Sequence, residues 1–400
     1  MNTPSRFLAV GLLSALVAAC ASTPRPTQMP KPVETIAPTQ IVQLTHAPPA
    51  TIGTSAPGKG TLVPVTSMSA RRAAHAATAL SDGRVLITGG FALEGHALTS
   101  AEIFDPAINT FTPTGDMRVG RTGHSATLLP DGRVLIAGGW GDRDLLASAE
   151  VYDPATGQFT LTGSMAAARS GHAAALLKDG KVLLVGGLSD GWTFLVSAEL
   201  YDPATGLFTP TGSLATARQS HTLTVMGNGR VLIAGGDEGR YPNTTVHSSA
   251  ELYDPAAGTF TATGDMTLPR HKHGAAMLPD GAVLIVGGSD ERDWRGRYVS
   301  AEIYHPDIGA FTPAASMNFA RFKLADAIVR LTNGAVLVAG GGARAEAYSI
   351  PANRFDLVEG QMDAARFFST ATSLPDGRAL IVGGYDQNIV ATASAWVFIP

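Results

Sequence analysis

The sequence predicts an all-β fold assembled from seven copies of one four-stranded unit, and three observations carry that reading. A double glycine recurs at Gly89/Gly90, Gly138/Gly139, Gly186/Gly187, Gly235/Gly236, Gly287/Gly288, Gly340/Gly341 and Gly383/Gly384. This period of about fifty residues marks a repeat architecture rather than several unrelated domains. Between the glycines run short apolar stretches such as Val134-Leu-Ile-Ala137 and alternating ones such as Ser148-Ala-Glu-Val-Tyr152, which read as strands. Composition agrees: 45 glycines, 25 prolines and only 16% charged residues suit strands punctuated by turns better than surface helices.

Each element of the unit has a local cause. The first strand is the apolar run after His124, and the second is the near-continuous run ending in the double glycine. Asp-Gly joins them, as a tight hairpin needing positive φ requires. The double glycine marks a strand end where backbones come too close for a Cβ. The third strand is Ser-Ala-Glu-Val-Tyr-Asp-Pro, and a Pro-Ala-Thr-Gly turn leads to a short fourth strand around Phe159. A four-stranded antiparallel sheet repeated around an axis is a propeller blade. The chain ends at Ser394 to Pro400, which matches only a third strand, whereas Thr61 to Met68 has the pattern of a fourth. The N-terminal strand is therefore expected to complete blade 7, closing the ring and removing its exposed edges.

The double glycine, the later Tyr and aromatic, and the fifty-residue spacing resemble kelch repeats of the galactose oxidase/kelch type, from residue 60 to the C-terminus. Phe111, Phe159, Phe208, Phe260 and Phe311 stand where kelch repeats usually have Trp. The resemblance implies a seven-bladed β-propeller of four-stranded kelch blades. Arg72, Arg121, Arg169, Arg218, Arg270, Arg321 and Arg366 hold one position in all units, and Glu102, Glu150, Glu199, Glu251, Glu302 and Glu346 another in six. Repetition around a ring points to structure, so these residues are expected to pair at blade junctions. His75, His124, His172, His221 and His273 follow the arginine by three residues and are expected to be backbone-bonded. Spread around a channel, they do not form the compact tetrahedral cluster that zinc prefers, and no metal or other cofactor is assigned.

Residues 1–19 have the layout of an export signal, with Arg6 before an apolar run from Phe7 to Val17 that is too short to span a bilayer. Val17-Ala-Ala-Cys20 resembles the bacterial lipobox, which implies acylation of Cys20, the only cysteine in the chain. Residues 20–59 are Pro/Thr-rich and read as a linker. At roughly 3 Å per residue such a linker reaches on the order of 100 Å. Residues 60–400 are the propeller. A bacterial cell-envelope protein held to a membrane through Cys20 is expected, at the outer membrane if the host is Gram-negative, since Ala21 rather than Asp follows the cysteine.

The net charge of −4 supplies no field for nucleic acid. One face of such a ring carries nearly identical Asp-Gly and Pro-Ala-Thr-Gly turns, and the other carries loops of varied length, where function is expected. Trp140, Asp142, Arg143, Trp192, Phe194, Arg240, Tyr241, Arg292, Trp294 and Arg297 lie in these loops, and Trp, Tyr and Arg are what recognition surfaces use. Two positions after the repeated arginine, Lys272, Lys323 and Phe368 replace the small Ala74, Gly123, Gly171 and Ser220. In kelch domains that bind acidic peptides, residues near this position face the ligand, so these three join the ligand-binding set. A protein- or glycan-binding module, not an enzyme, is the leading expectation. The alternative is a cofactor-free carbohydrate mutarotase or epimerase of the sialic-acid mutarotase type, using loop acids such as Asp142, Asp237 or Asp290 beside Arg240. Galactose oxidase chemistry needs a Cys-Tyr cross-link, and residues 60–400 contain no cysteine.

Overall fold

A turn sets the geometry of every blade. In the computed structural model, which describes residues 60–92 and 96–400, Ser81 and Asp82 form the first turn and Gly83 follows at φ +88°. The Gly83 N–H donates to the Leu80 carbonyl, and Leu80 and Arg84 resume the ladder. This is the three-residue hairpin in which a left-handed glycine ends a type I turn. Asp82 Oδ1 accepts the Arg84 N–H at 3.0 Å and fixes the corner. Cys20, the export signal and the Pro/Thr-rich segment lie outside the described residues.

Seven antiparallel four-stranded sheets result. Blade 2 is representative, with strands Ser125–Leu128, Val134–Ala137, Ala149–Asp153 and Gln158–Leu161 from the innermost outward. The innermost strands touch in succession and blade 7 returns to blade 1, so they wall a central channel. Second strands such as Val134–Ala137 are buried at every position because both of their faces pack against neighbouring sheets. The core therefore lies between blades: Leu86 and Ile103 of blade 1 pack with Val134, Ile136 and Tyr152 of blade 2. Tyr152 and Phe159 stack at 4.7 Å, and the pairing recurs in other blades, so phenylalanine fills the place expected of tryptophan. At the double glycine, a Cβ on Gly89 would lie 2.4 Å from the Arg121 carbonyl oxygen of the next blade.

The strand Thr61–Val65 pairs with Ala395–Ile399 and completes blade 7, as the sequence predicts. Leu62 is buried, and its N–H donates to the Glu359 carbonyl at 2.8 Å, tying the same strand to the segment that leaves blade 6. Among the described residues no helix is long and apolar enough to cross a membrane.

The repeated arginines and glutamates do pair, within each blade, at the point where the chain enters from the previous one. In blade 2, Arg121 Nη1 donates to the carbonyls of Gly138 and Ser148, and Nη2 to Glu150 at 2.9 Å. The other oxygen of Glu150 accepts the Arg118 N–H of the incoming crossing at 2.8 Å. Both side chains are fully buried. Burial pulls the Arg121 pKa down while Glu150 pulls it up. Blade 7 departs from this scheme. Trp396 occupies the glutamate position, and Arg366 turns instead to Asp363 on the crossing.

Four of the five histidines bond across blades, to side-chain hydroxyls rather than to the backbone groups expected, and His221 has no such partner among the described residues. His75 Nε2 meets Thr370 Oγ1 at 3.0 Å, and His172 Nε2 meets Ser125 Oγ at 2.9 Å. Burial, reinforced by the neighbouring arginine, depresses His75, His172 and His221 to about 3.

Two expectations follow from these contacts. Deletion of residues 60–68 removes the ring closure and should lower the Tm of the whole domain; a truncation that melts like the parent would refute the closure. The imidazoles are neutral in the fold but take up protons near 6.5 once unfolded, so their stabilisation is complete above pH 6.5 and is lost as pH falls towards 3. His75→Gln keeps a partner for Thr370 but cannot titrate, so its Tm should fall less steeply with acid over that window. Parallel slopes for the two proteins would show that His75 does not contribute.

Candidate functional site

The loops joining second to third strands and the crossings between blades emerge on one face, around the mouth of the channel. Two residues after each repeated arginine the backbone is left-handed, with φ of +49° at Ala74, +53° at Ser220 and Lys272, +61° at Lys323 and +51° at Phe368. A side chain held there costs on the order of 1–2 kcal/mol, so something must restrain it. The restraint is a belt of backbone hydrogen bonds running from blade to blade. The Gly123 N–H donates to the Ala74 carbonyl at 2.9 Å, Ser220 to Gly171 and Lys272 to Ser220 at 3.0 Å, and Ala74 to Phe368 across the seam at 3.1 Å.

Blade 6 breaks the belt. Ten positions separate Arg321 from the buried Leu331, where eight separate Arg121 from Leu129. Leu324, not Lys323, donates to the Lys272 carbonyl, and the additional residues Ala325 and Asp326 bulge out at the channel wall, exposed between buried Leu324 and Ala327. The Asp326 carbonyl accepts the Ala371 N–H of blade 7's innermost strand at 2.7 Å. Desolvation by the protein around it pushes its carboxyl up to about 6.

Beside the bulge, charged groups converge. Lys272 Nζ donates to Asp293 Oδ1 at 2.9 Å, and His271 lies between Asp237, 2.9 Å from Nδ1, and Asp293, 3.8 Å from Nε2. Gln219 Nε2 donates to the second oxygen of Asp237. Burial works against ionisation of Asp237 and Asp293, but His271 and Lys272 respectively outweigh it and hold both carboxyls below the ordinary range. Lys323 departs from expectation. It is buried rather than presented to the channel mouth, its Nζ donates to Tyr385 Oη at 2.6 Å, and it sits 4.8 to 5.8 Å from the ring centroids of Phe322, Tyr385, Phe368 and Phe367. Such cation–π contacts strengthen when desolvated, so Lys323 and Phe368 read as the packing of this quadrant.

The loop residues form a separate group. Trp192 and Phe194 belong to a small hairpin, Leu188–Ser189 with Thr193–Phe194. Arg240 ends the strand Asp237–Arg240 of another, with Tyr241 at its tip. Arg240 stacks on Trp192 at 4.4 Å, and Tyr241 is 61% exposed. Trp294, 38% exposed, lies in the 3-10 turn Asp293–Arg295, next to Arg292, which pairs with Asp290, and to exposed Arg297. Trp140 bridges Thr122; Asp142 accepts the Ala97 N–H from blade 1 at 2.9 Å, and Arg143 is exposed. The acids expected beside Arg240 are not there. Asp237 faces His271, Asp290 faces Arg292 and Asp142 faces blade 1. His271, Asp293, Asp326 and Tyr385 were absent from the sequence-derived set; the two surplus residues of blade 6 were the available signal for Asp326. Among the described residues no group of three or more His, Cys, Asp or Glu side chains is placed to hold a metal ion.

Comparison with known proteins agrees with this architecture. The kelch motif matches residues 72–118 and 121–166, the span of blades 1 and 2. No curated protein matches the chain. A solved fungal alcohol oxidase of the AA5 family, in complex with copper, is similar with a TM-score of 0.69 and 18% identity, over 86% of this chain and 77% of that one. At that identity the likeness is one of fold. The chain is a seven-bladed β-propeller of four-stranded blades carrying the kelch motif.

Proposed function

We propose that the chain is a binding module of a bacterial cell envelope, tethered through acylated Cys20, that engages a protein or glycan partner with its loop face. The observation that carries this is the ridge across blades 3 to 5. There Trp192 lies under Arg240, Tyr241 and Trp294 are solvent-exposed, and Arg292 and Arg297 are exposed in the same loop as Trp294. Aromatic and arginine side chains dominate binding energy at interfaces because they combine large contact area with a polar handle. Affinity capture from envelope extracts, with the full chain beside a Trp192→Ala, Trp294→Ala double variant, tests it. Truncating two anchors should cost about 2 kcal/mol or more, roughly thirtyfold in affinity. A partner captured equally by both proteins would move the site off the ridge.

Asp326 supports a second reading, cofactor-free sugar mutarotation. A carboxyl near 6 exists in both protonation states around that pH and is suited to giving and taking a proton at an anomeric hydroxyl and a ring oxygen. If Asp326 is the base, anomerisation followed by proton NMR should slow below about pH 6 and fall by roughly 10²-fold or more in Asp326→Asn. Rates equal to the uncatalysed reaction with the parent protein would end this reading.

A further inference from the structure

The seam between blades 7 and 1 departs from the repeat at two positions, and both departures open onto one cleft. The first is Arg71. The residue before the repeated arginine is small or proline in the other units, namely Gly120, Ala168, Ala217, Pro269, Ala320 and Ala365. Only blade 1 places a long cation there, and Arg71 is exposed. The second is Arg366, which has Trp396 in place of the glutamate that neutralises its six counterparts. Its Nε and Nη2 go to Asp363 Oδ1, at 3.0 and 2.7 Å. Nη1, which in Arg72 and Arg121 is used by two backbone carbonyls, makes no hydrogen bond here among the described residues. The two guanidinium groups line a cleft of 330 Å³ together with Ser67, Thr392, Ser394 and Asp386.

We infer that this cleft is a second binding site, for a sugar residue bearing one acid group. A carboxylate is matched by planar guanidinium donors, and Arg71 and Arg366 both line the cleft. The remaining wall is hydroxylic: Ser394 Oγ contacts both Asp363 Oδ2 and Thr392 Oγ1, and Ser67 is exposed. Such a chain of donors and acceptors suits ring hydroxyls. Asp386 accepts the Asn388 and Val390 N–H groups through Oδ1, which braces the loop that lines the cleft. The volume lies at the small end of ligand sites, about 300–1,000 Å³, enough for one ring. Asp363 and Asp386 offset the charge of the two arginines, so a monoanion is opposed less than a dianionic phosphate. Val390, Ala391 and Ala393 are the apolar lining, with no aromatic platform for a larger planar ligand. The site lies apart from the tryptophan ridge and does not depend on it.

Calorimetric titration of the full chain with galacturonate, galactose and inorganic phosphate tests the inference. Galacturonate should bind, with galactose and phosphate each weaker. Arg71→Gly, the residue blade 2 carries naturally, should weaken galacturonate about tenfold, as loss of one charge-assisted contact predicts. Arg366→Lys, which keeps the charge but not the fork, should weaken it as well; an unchanged Tm for Arg71→Gly separates this from unfolding. Galactose or phosphate binding as tightly as galacturonate, no heat from galacturonate, or unchanged affinity in Arg71→Gly would each overturn the inference.

Discussion

The fold depends on burying one guanidinium group per blade. Withdrawing that charge from water costs several kcal/mol, and the cost is offset only if nearly every donor finds an acceptor. Arg121 shows how: two carbonyls take Nη1, a serine and a carboxylate take Nη2, and only Nε is left without a partner. Each acceptor then constrains something else. The Gly138 carbonyl must turn inward at a point where a Cβ would strike the Arg169 carbonyl oxygen of the next blade, so the residue must be glycine. The carboxylate that neutralises the arginine also holds the crossing from the preceding sheet. The repeated Arg, double Gly, Ser and Glu are thus one electrostatic requirement seen at four places in the sequence.

That is why the fold was legible. An arginine buried in every blade, and paired with a glutamate in six of them, leaves a periodic trace, and the strands, turns and closure of the ring could be read from it. The residues of the mouth were not legible in the same way. Lys272 and Lys323 stand at equivalent positions after their arginines, yet one pairs with an aspartate at the channel mouth and the other is packed under four aromatic rings. Sequence register gives the backbone conformation, which is left-handed at both, but not the direction a long side chain takes. That direction depends on which residues from other blades fill the space. Asp326 was missed because a two-residue insertion was hidden by an otherwise regular count.

The departures also share a location. The bulge of blade 6, the aromatic packing around Lys323 and the Trp396 substitution fall on adjoining blades, while blades 2 and 3 keep small residues at the mouth, Gly123 and Gly171. A ring with equivalent positions has no intrinsic front or back around its axis. Filling one side of the mouth and leaving the other low gives it one, and offers a ligand a wall and a floor rather than a symmetrical pore. Propellers host both binding and catalysis on the same scaffold, so this loss of symmetry says more about function than the ring itself.

The closing strand fixes an orientation as well. Thr61 pairs with Ile399, and the strand runs from there towards Val65 and the crossing to blade 1. Its beginning therefore lies at the end of blade 7 where the other blades carry their Pro-Ala-Thr-Gly turns, and the last residues of the chain lie beside it. Residue 60 therefore stands on the side of the ring opposite the loops. The loop tryptophans and arginines thus sit on one side of the disc, while residue 60 and the C-terminus share the other, clear of anything that docks on the loops.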